Sequence, residues 1–168
     1  MENMTHAAVP ELKNKLKGMS FAYAYSRINQ AIKQEFYLEA ITLSESILSD
    51  RLLSFVKSHD KKVGVNTTLK QLISKARTFS IESEVSPMDL EMFDEIDEWR
   101  DKRNKCVHSA AKSEPGVPTI SVEEFVAMAR ESAVEGKRLS RKISDWNRGL
   151  KTAQQIKVSK SKENAKAD

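Results

Sequence analysis

Three side chains in the stretch Arg103-Asn104-Lys105-Cys106-Val107-His108 are the ones best suited to chemistry. Histidine can move a proton near neutral pH. Arginine can hold a phosphate and stabilise the negative charge that grows on it in a transition state, and asparagine can orient a phosphate oxygen or the imidazole ring. RNA supplies its own nucleophile, the 2′-hydroxyl. Arg103, Asn104 and His108 are therefore candidate catalytic residues for metal-free cleavage of a phosphodiester.

The spacing of these three residues leaves a second interpretation open. Asn104 and His108 are four residues apart, so they share one face of a helix. Arg103 and His108 are five residues apart, about 140° around an ideal helix, and they point the same way only if the helix frays or turns at His108. A histidine at a helix end also serves as a capping or dipole partner.

Arg103 also lies on a predicted buried seam. A 4-3-4-3 spacing, typical of residues that face a helical core, connects Met92, Ile96, Trp99, Arg103 and Cys106. A guanidinium on such a seam needs an acceptor, because a lone buried charge is very costly. Glu45 lies within the apolar stripe of an earlier helix and can supply a carboxylate. We expect Glu45 to support the site, or to form an ion pair that only fixes helix register.

Composition excludes several other classes of site. The chain has one cysteine, Cys106, so neither an intrachain disulfide nor a zinc site with several thiolates can form. The three histidines, His6, His59 and His108, are far apart and form no pair at metal-binding helical spacing. We therefore predict no metal and no cofactor, and a reducing, cytoplasmic location.

The chain also gives no sign of a membrane or secretory segment. Its first ten residues lack a basic patch followed by an apolar stretch. No run approaches the ~20 apolar residues that a membrane span requires. We predict no contact with a membrane.

The hydrophobic pattern predicts an all-α fold, a bundle of about five helices. Glycine (5) and proline (4) are scarce among 168 residues, which disfavours a β fold with many turns. The first predicted helix starts after Ser20, the second spans about 35–59, and the third begins at 67 or 68. The fourth spans about 87–108. The fifth begins after Ser121, which forms a capping box with Glu124. The last helix is expected to break near Gly136. The predicted domains are a polar lead-in at 1–19, a helical domain at 20–150 and a lysine-rich disordered tail at 151–168.

Basic residues in the final third of the chain suggest weak RNA binding. The tail from residue 151 has five lysines against Glu163 and Asp168, and such a tail can hold nucleic acid through phosphate contacts. The alternatives are a disordered terminus and a solvated helix face. The candidate RNA-binding residues in the preceding helix are Lys137, Arg138, Arg141, Lys142 and Arg148.

The segment from Arg103 to His108 resembles the Arg-x(4–6)-His motif of HEPN domains. In that family a polar residue commonly follows the arginine, and Asn104 matches it. The resemblance covers roughly residues 20–148, and its most specific part is those six residues. It implies a metal-independent endoribonuclease whose products end in 2′,3′-cyclic phosphate, acting in toxin–antitoxin pairs, phage defence or RNA processing. It also implies a homodimer in which two motifs line one cleft, and an antitoxin or defence partner. Cys106 stands where one toxin subgroup has a tyrosine, which argues against that subgroup.

Two other functions fit the same pattern. Some HEPN domains are non-catalytic modules, so binding of RNA, a nucleotide or a protein without cleavage is the first alternative. The helix order is also similar to that of mannitol repressor proteins, which makes a helical regulator the second.

Overall fold

The fold is a bundle of five α-helices, as the sequence predicted. The computed structural model describes residues 8–82, 87–109 and 120–164, and these residues contain no β-strand. The helices are α1 (Ala8–Lys33), α2 (Tyr37–His59), α3 (Leu69–Glu82), α4 (Pro87–Ser109) and α5 (Val122–Asn164). No helix within these ranges is both long enough and apolar enough to cross a membrane.

The side-chain contacts fix the directions of the helices. Lys17 pairs with Asp50, and Arg27 with Glu39, so α1 runs antiparallel to α2. Helix α5 is parallel to α2, because Ser140 Oγ donates to the Ser44 carbonyl and Asn147 Nδ2 donates to the Arg51 carbonyl. Helix α4 is antiparallel to α5, since Trp99 contacts Ser132 and Glu95 contacts Lys142 further along α5. Helix α3 packs against α2 and α4.

Small residues allow α2 and α5 to approach closely. Ser44 on α2 lies against Gly136 on α5, where an added Cβ would come within 3.1 Å of Ser44 Cβ, and the Ser44 carbonyl accepts a hydrogen bond from Ser140 Oγ. Close approach of this kind increases the number of favourable packing contacts per turn. The buried small residues are Ala40 and Ser44 on α2 and Ala129, Ala133, Gly136 and Ser140 on α5.

The predicted capping box at the start of α5 is confirmed. The Glu124 amide donates to Ser121 Oγ at 3.1 Å, and the Ser121 amide donates to Glu124 Oε2 at 2.9 Å. A similar pair opens α3, where the Thr68 amide donates to Gln71 Oε1 at 3.0 Å. These bonds satisfy first-turn amides that have no partner inside the helix.

Two predicted helix limits and one predicted break are wrong. Helix α1 begins at Ala8 instead of after Ser20, because Pro10 falls in the first turn, where proline is tolerated, and Gly18 weakens a helix without ending it. Helix α5 passes through Gly136 without a break and continues to Asn164. Most of the predicted disordered tail is therefore helical, since after Gly149 the sequence contains neither glycine nor proline. Residues 1–7 and 165–168 lie outside the described residues.

Candidate functional site

The seam of α4 is buried as its spacing predicted. Met92, Ile96, Trp99 and Cys106 are each at most 2% exposed. Burial raises the pKa of the Cys106 thiol, so this residue is a buried apolar contact and not a reactive group. Arg103 occupies the seam position between Trp99 and Cys106, and its side chain is 23% exposed.

Trp99 fixes the rotation of α4 one turn before the site. Its indole Nε1 donates to the Ser132 carbonyl on α5 at 2.8 Å, a bond inside the core. The ring lies against Gly136, where an added Cβ would come within 2.7 Å of Trp99 Cζ2. Because both contacts join the indole to α5, they set the rotation of α4 at Trp99, and Arg103 at the next seam position contacts Glu45 on α2.

Arg103 meets Glu45, as the sequence predicted. Its Nη2 forms an ion pair with Glu45 Oε2, and its Nη1 donates to Asn104 Oδ1 at 2.6 Å. The Glu45 side chain is 25% exposed. The two contacts hold the guanidinium between α2 and the neighbouring residue of α4, and both residues of the ion pair keep an edge in solvent.

The Arg103 guanidinium is partly buried, and two acceptors contact it. Burial lowers the pKa of its guanidinium from the ordinary value, although arginine stays charged at any physiological pH. The Glu45 carboxylate contacts Nη2 of the guanidinium, and Asn104 Oδ1 accepts a hydrogen bond from Nη1. The remaining N–H donors of the guanidinium form no hydrogen bond with any residue that the structure describes.

His108 is near this pair along the helix but makes no contact with it. It lies in the last turn of α4 and is exposed, and it forms no side-chain hydrogen bond with any residue in the described ranges. The helix does not fray or turn at His108, the condition for Arg103 and His108 to point the same way, because α4 continues to Ser109, whose Oγ donates to the Lys105 carbonyl at 2.8 Å. Arg103 and His108 therefore remain about 140° apart, while Asn104 and His108 share a face.

The predicted RNA-binding residues of α5 do not form one patch of unpaired charge. Arg138 pairs with Glu95 and Glu135, which raises the pKa of its guanidinium, and Lys142 pairs with Glu95 at 2.6 Å. Arg148 pairs with Asp145 at 3.4 Å. The Arg141 guanidinium lies 5.9 Å from the ring of Tyr25, on the side of α5 that faces α1. Lys137, half-buried, has no ion pair within the described part of the chain.

The sequence analysis did not predict Glu95 and Glu135 as the acidic partners of these basic residues. Glu135 could have been found, because it lies three residues before Arg138 on the same helix. Glu95 could not, since its contact depends on how α4 packs against α5.

A comparison of the chain with protein-family models, curated proteins and solved structures finds no match.

Proposed function

We propose that this protein is a metal-independent endoribonuclease of HEPN type, acting in a toxin–antitoxin or phage-defence context. One observation carries the proposal: Arg103, on a core seam, contacts Glu45 and Asn104 through two different nitrogens, and its side chain remains 23% exposed. A guanidinium oriented in this way is a preformed phosphate site.

Asn104 connects the two halves of the proposed site. Its amide contacts the Arg103 guanidinium, and it lies one helical turn before His108 on the same face. A phosphate bound beside Asn104 is therefore within reach of the long Arg103 side chain from one side and of the imidazole from the other. The exposed position of His108 leaves room for an RNA strand.

The proposed reaction uses the 2′-hydroxyl of the RNA as nucleophile. His108, as general base, removes the 2′-hydroxyl proton, the oxygen attacks phosphorus, and the bond from phosphorus to the 5′-oxygen breaks. The leaving 5′-oxygen takes up a proton from solvent, and His108 releases to solvent the proton that it removed, which gives a 5′-hydroxyl end and a 2′,3′-cyclic phosphate end. Arg103 stabilises the charge on the phosphoryl oxygens, and Asn104 orients the phosphate. Glu45 is a positioning residue that keeps the guanidinium in place.

The test is cleavage of total RNA and tRNA by the purified protein in EDTA. We expect cleavage with cyclic-phosphate ends, and a loss of at least about a hundredfold in rate for His108→Ala and for Arg103→Lys. Lysine keeps the positive charge but loses the planar fork of donors. Lys105→Ala and Arg130→Ala are the matched controls, because each removes an exposed basic side chain outside the proposed set.

The result that would contradict the proposal is intact RNA with the wild-type protein. Equal cleavage by the wild-type protein and His108→Ala would contradict it equally. Circular dichroism melts of each variant establish that a lost activity does not reflect a lost fold.

The second candidate is a module that binds RNA without cleaving it. The observation in its favour is that His108 makes no contact with Arg103 and that the helix does not turn to bring the two together. Under this alternative, RNA binding would survive His108→Ala, weaken with Arg103→Lys and fall steeply with salt. Filter binding at several salt concentrations, run beside the cleavage assay, distinguishes the two.

A further inference from the structure

The turn between α1 and α2 and the first turns of α5 border an open cavity of about 310 Å³. Among the described residues that line it, six are apolar or aromatic, two are the glutamates Glu35 and Glu39, and none is basic. Phe36, Leu38 and Val126 are 57%, 39% and 39% exposed at its edge. This cavity, which we call the turn cavity, shares no residue with the candidate site on α4.

The turn that supports the cavity is a Schellman motif at the end of α1. The Phe36 amide donates to the Ala31 carbonyl at 2.8 Å, and the Glu35 amide donates to the Ile32 carbonyl at 3.3 Å. This motif requires a left-handed backbone at the position of Glu35, where glycine is the usual residue. Glu35 adopts that backbone, with a φ of 62°. The two hydrogen bonds therefore fix the backbone of Glu35 and Phe36.

Both residues of this turn are poor choices for local stability. Glycine would avoid the left-handed strain at Glu35. Phe36 is the N-cap residue of α2 and forms no side-chain capping bond, whereas serine, threonine, asparagine and aspartate are preferred at this position. Sequence choices that oppose the local structure are expected at functional sites. Here two of them are adjacent, and both side chains line the turn cavity.

The charges at the cavity favour a cation. Glu39 is already paired, because its Oε1 lies 2.6 Å from Nη2 of Arg27. The Glu35 carboxylate is exposed and has no ion-pair partner among the residues that the structure describes, although Lys33 is only two residues away. An ammonium group beside Glu35 would gain an opposite charge, and the face of a phenyl ring would add a cation–π attraction. An anion, including a nucleic-acid phosphate, would be repelled by the same carboxylate.

The size of the cavity favours a small molecule over a protein partner. A volume of about 310 Å³ is at the lower end of the range for small-molecule sites, about 300–1,000 Å³. Stable protein interfaces use roughly 20–30 residues on each side, and the turn cavity is far smaller than that. Its aromatic and apolar lining suits a ligand with an apolar body, which an aromatic ring fits best.

We propose that the turn cavity binds a small organic cation, an ammonium group attached to an aromatic or apolar body. The ammonium group contacts the Glu35 carboxylate, and the body packs between Phe36 and the side chains of Phe125 and Val126 on α5. Because the strained turn fixes the backbone of Glu35 and Phe36 in advance, binding does not have to order it. This inference goes beyond the proposed function and does not rest on it, since neither RNA nor α4 takes part.

Three probes that share a phenyl ring test the charge preference. They are phenethylamine, phenethyl alcohol and phenylpropionate, which are a cation, a neutral molecule and an anion near neutral pH. In an NMR titration of the isotope-labelled full chain, we expect the amine to shift the amide signals of residues 35–39 and of Phe125 and Val126, with a dissociation constant on the order of 1 mM. The amine should bind at least about fivefold more tightly than the acid. No shift at these residues with up to about 10 mM amine, or equal binding of amine and acid, overturns the proposal.

Two substitutions separate binding of the amine from folding. Glu35→Gln removes the charge but keeps the shape, and should weaken amine binding at least about threefold while leaving phenethyl alcohol unaffected. Phe36→Ser should weaken amine binding by a similar factor, yet its melting temperature should stay the same or rise, because serine caps a helix. The matched controls are Glu91→Gln, at an exposed carboxylate of α4, and Tyr23→Ser, at an aromatic residue of α1 that is 69% exposed. An amine affinity that Glu35→Gln or Phe36→Ser leaves unchanged overturns the proposal.

Discussion

Two glycines of α5 offer the same substitution in two opposite environments. At Gly136 a new Cβ would lie 2.7 Å from Trp99 Cζ2 and 3.1 Å from Ser44 Cβ, whereas at Gly149 it would meet nothing within 4 Å. Both positions are inside the same helix. We predict that Gly136→Ala destabilises the protein and that Gly149→Ala stabilises it.

The magnitude follows from two opposed contributions. Alanine in a helix interior is more favourable than glycine by about 1 kcal/mol, which is the full expected gain at Gly149. At Gly136 the overlap with Trp99 must be relieved, and overpacking of this kind costs about 1–3 kcal/mol. The indole cannot move easily, since it is 1% exposed and its Nε1 is bonded to the Ser132 carbonyl. Because the gain in helix propensity is common to both variants, we expect their stabilities to differ by the overpacking cost, about 1–3 kcal/mol.

Urea unfolding followed by circular dichroism measures this difference directly. A gap of about 1–3 kcal/mol separates the two melting temperatures by roughly 2–12 °C at this chain length. If Gly136→Ala were as stable as Gly149→Ala, then Trp99 would not be packed against α5 as described. The orientation of α4 that directs Arg103 towards Glu45 would then lack its support.

Three smaller predictions concern the turn after α1, one ion-pair cluster and the thiol. Glu35 has a φ of 62°, a left-handed conformation that glycine adopts without strain, so Glu35→Gly should stabilise the fold by about 0.5–1 kcal/mol in urea unfolding; any destabilisation contradicts this. Burial would raise the pKa of Glu95, but hydrogen bonds from Lys142 and Arg138 outweigh it and lower that pKa. The contribution of Glu95 to the free energy of unfolding is therefore present above about pH 5. It is lost as the pH falls through the pKa of the unfolded state and then that of the folded state. Glu95→Gln should therefore cost up to about 1 kcal/mol of stability at pH 7 and almost nothing at pH 3. Burial raises the pKa of Cys106, and its reaction with Ellman's reagent should be at least about a hundredfold faster in urea than in buffer; a rapid reaction of the folded protein would show an accessible thiol.

The periodicity of apolar residues was sufficient to predict α2, α3 and α4, because the residues of a buried helical face recur at regular spacing along the chain. The limits of α2 and α4 and the start of α3 agree with the predicted ones to within about two residues, the usual uncertainty of a helix end. The outer limits of α1 and α5 were not predictable in the same way. Near Ser20 and after residue 150 the local signals, a capping residue and a lysine-rich stretch, favour a boundary, whereas the helical backbone continues through both.

The Glu45–Arg103 contact was predictable because a charge on an apolar seam restricts its partners. Glu45 is a carboxylate within the apolar stripe of α2. Its pairing with Arg103 followed once α2 and α4 were assumed to face each other. The role of Gly136 was not predictable, since glycine in a helical pattern indicates a break as readily as a close contact. Only the position of Trp99 across from it distinguishes the two.

The ion pair between Glu45 and Arg103 connects the fold to the proposed chemistry. A partly buried pair of this kind contributes little net stability, because the loss of hydration offsets most of the attraction between the charges. An apolar residue at position 103, like its neighbours Trp99 and Cys106 on the seam, would pack there without that cost. The benefit of an arginine is therefore orientation: Glu45 and Asn104 hold the guanidinium by two different nitrogens, while 23% of its side chain stays exposed. Such pre-orientation is what recognition of a phosphate needs, and it is why the site and the helix packing depend on the same residue.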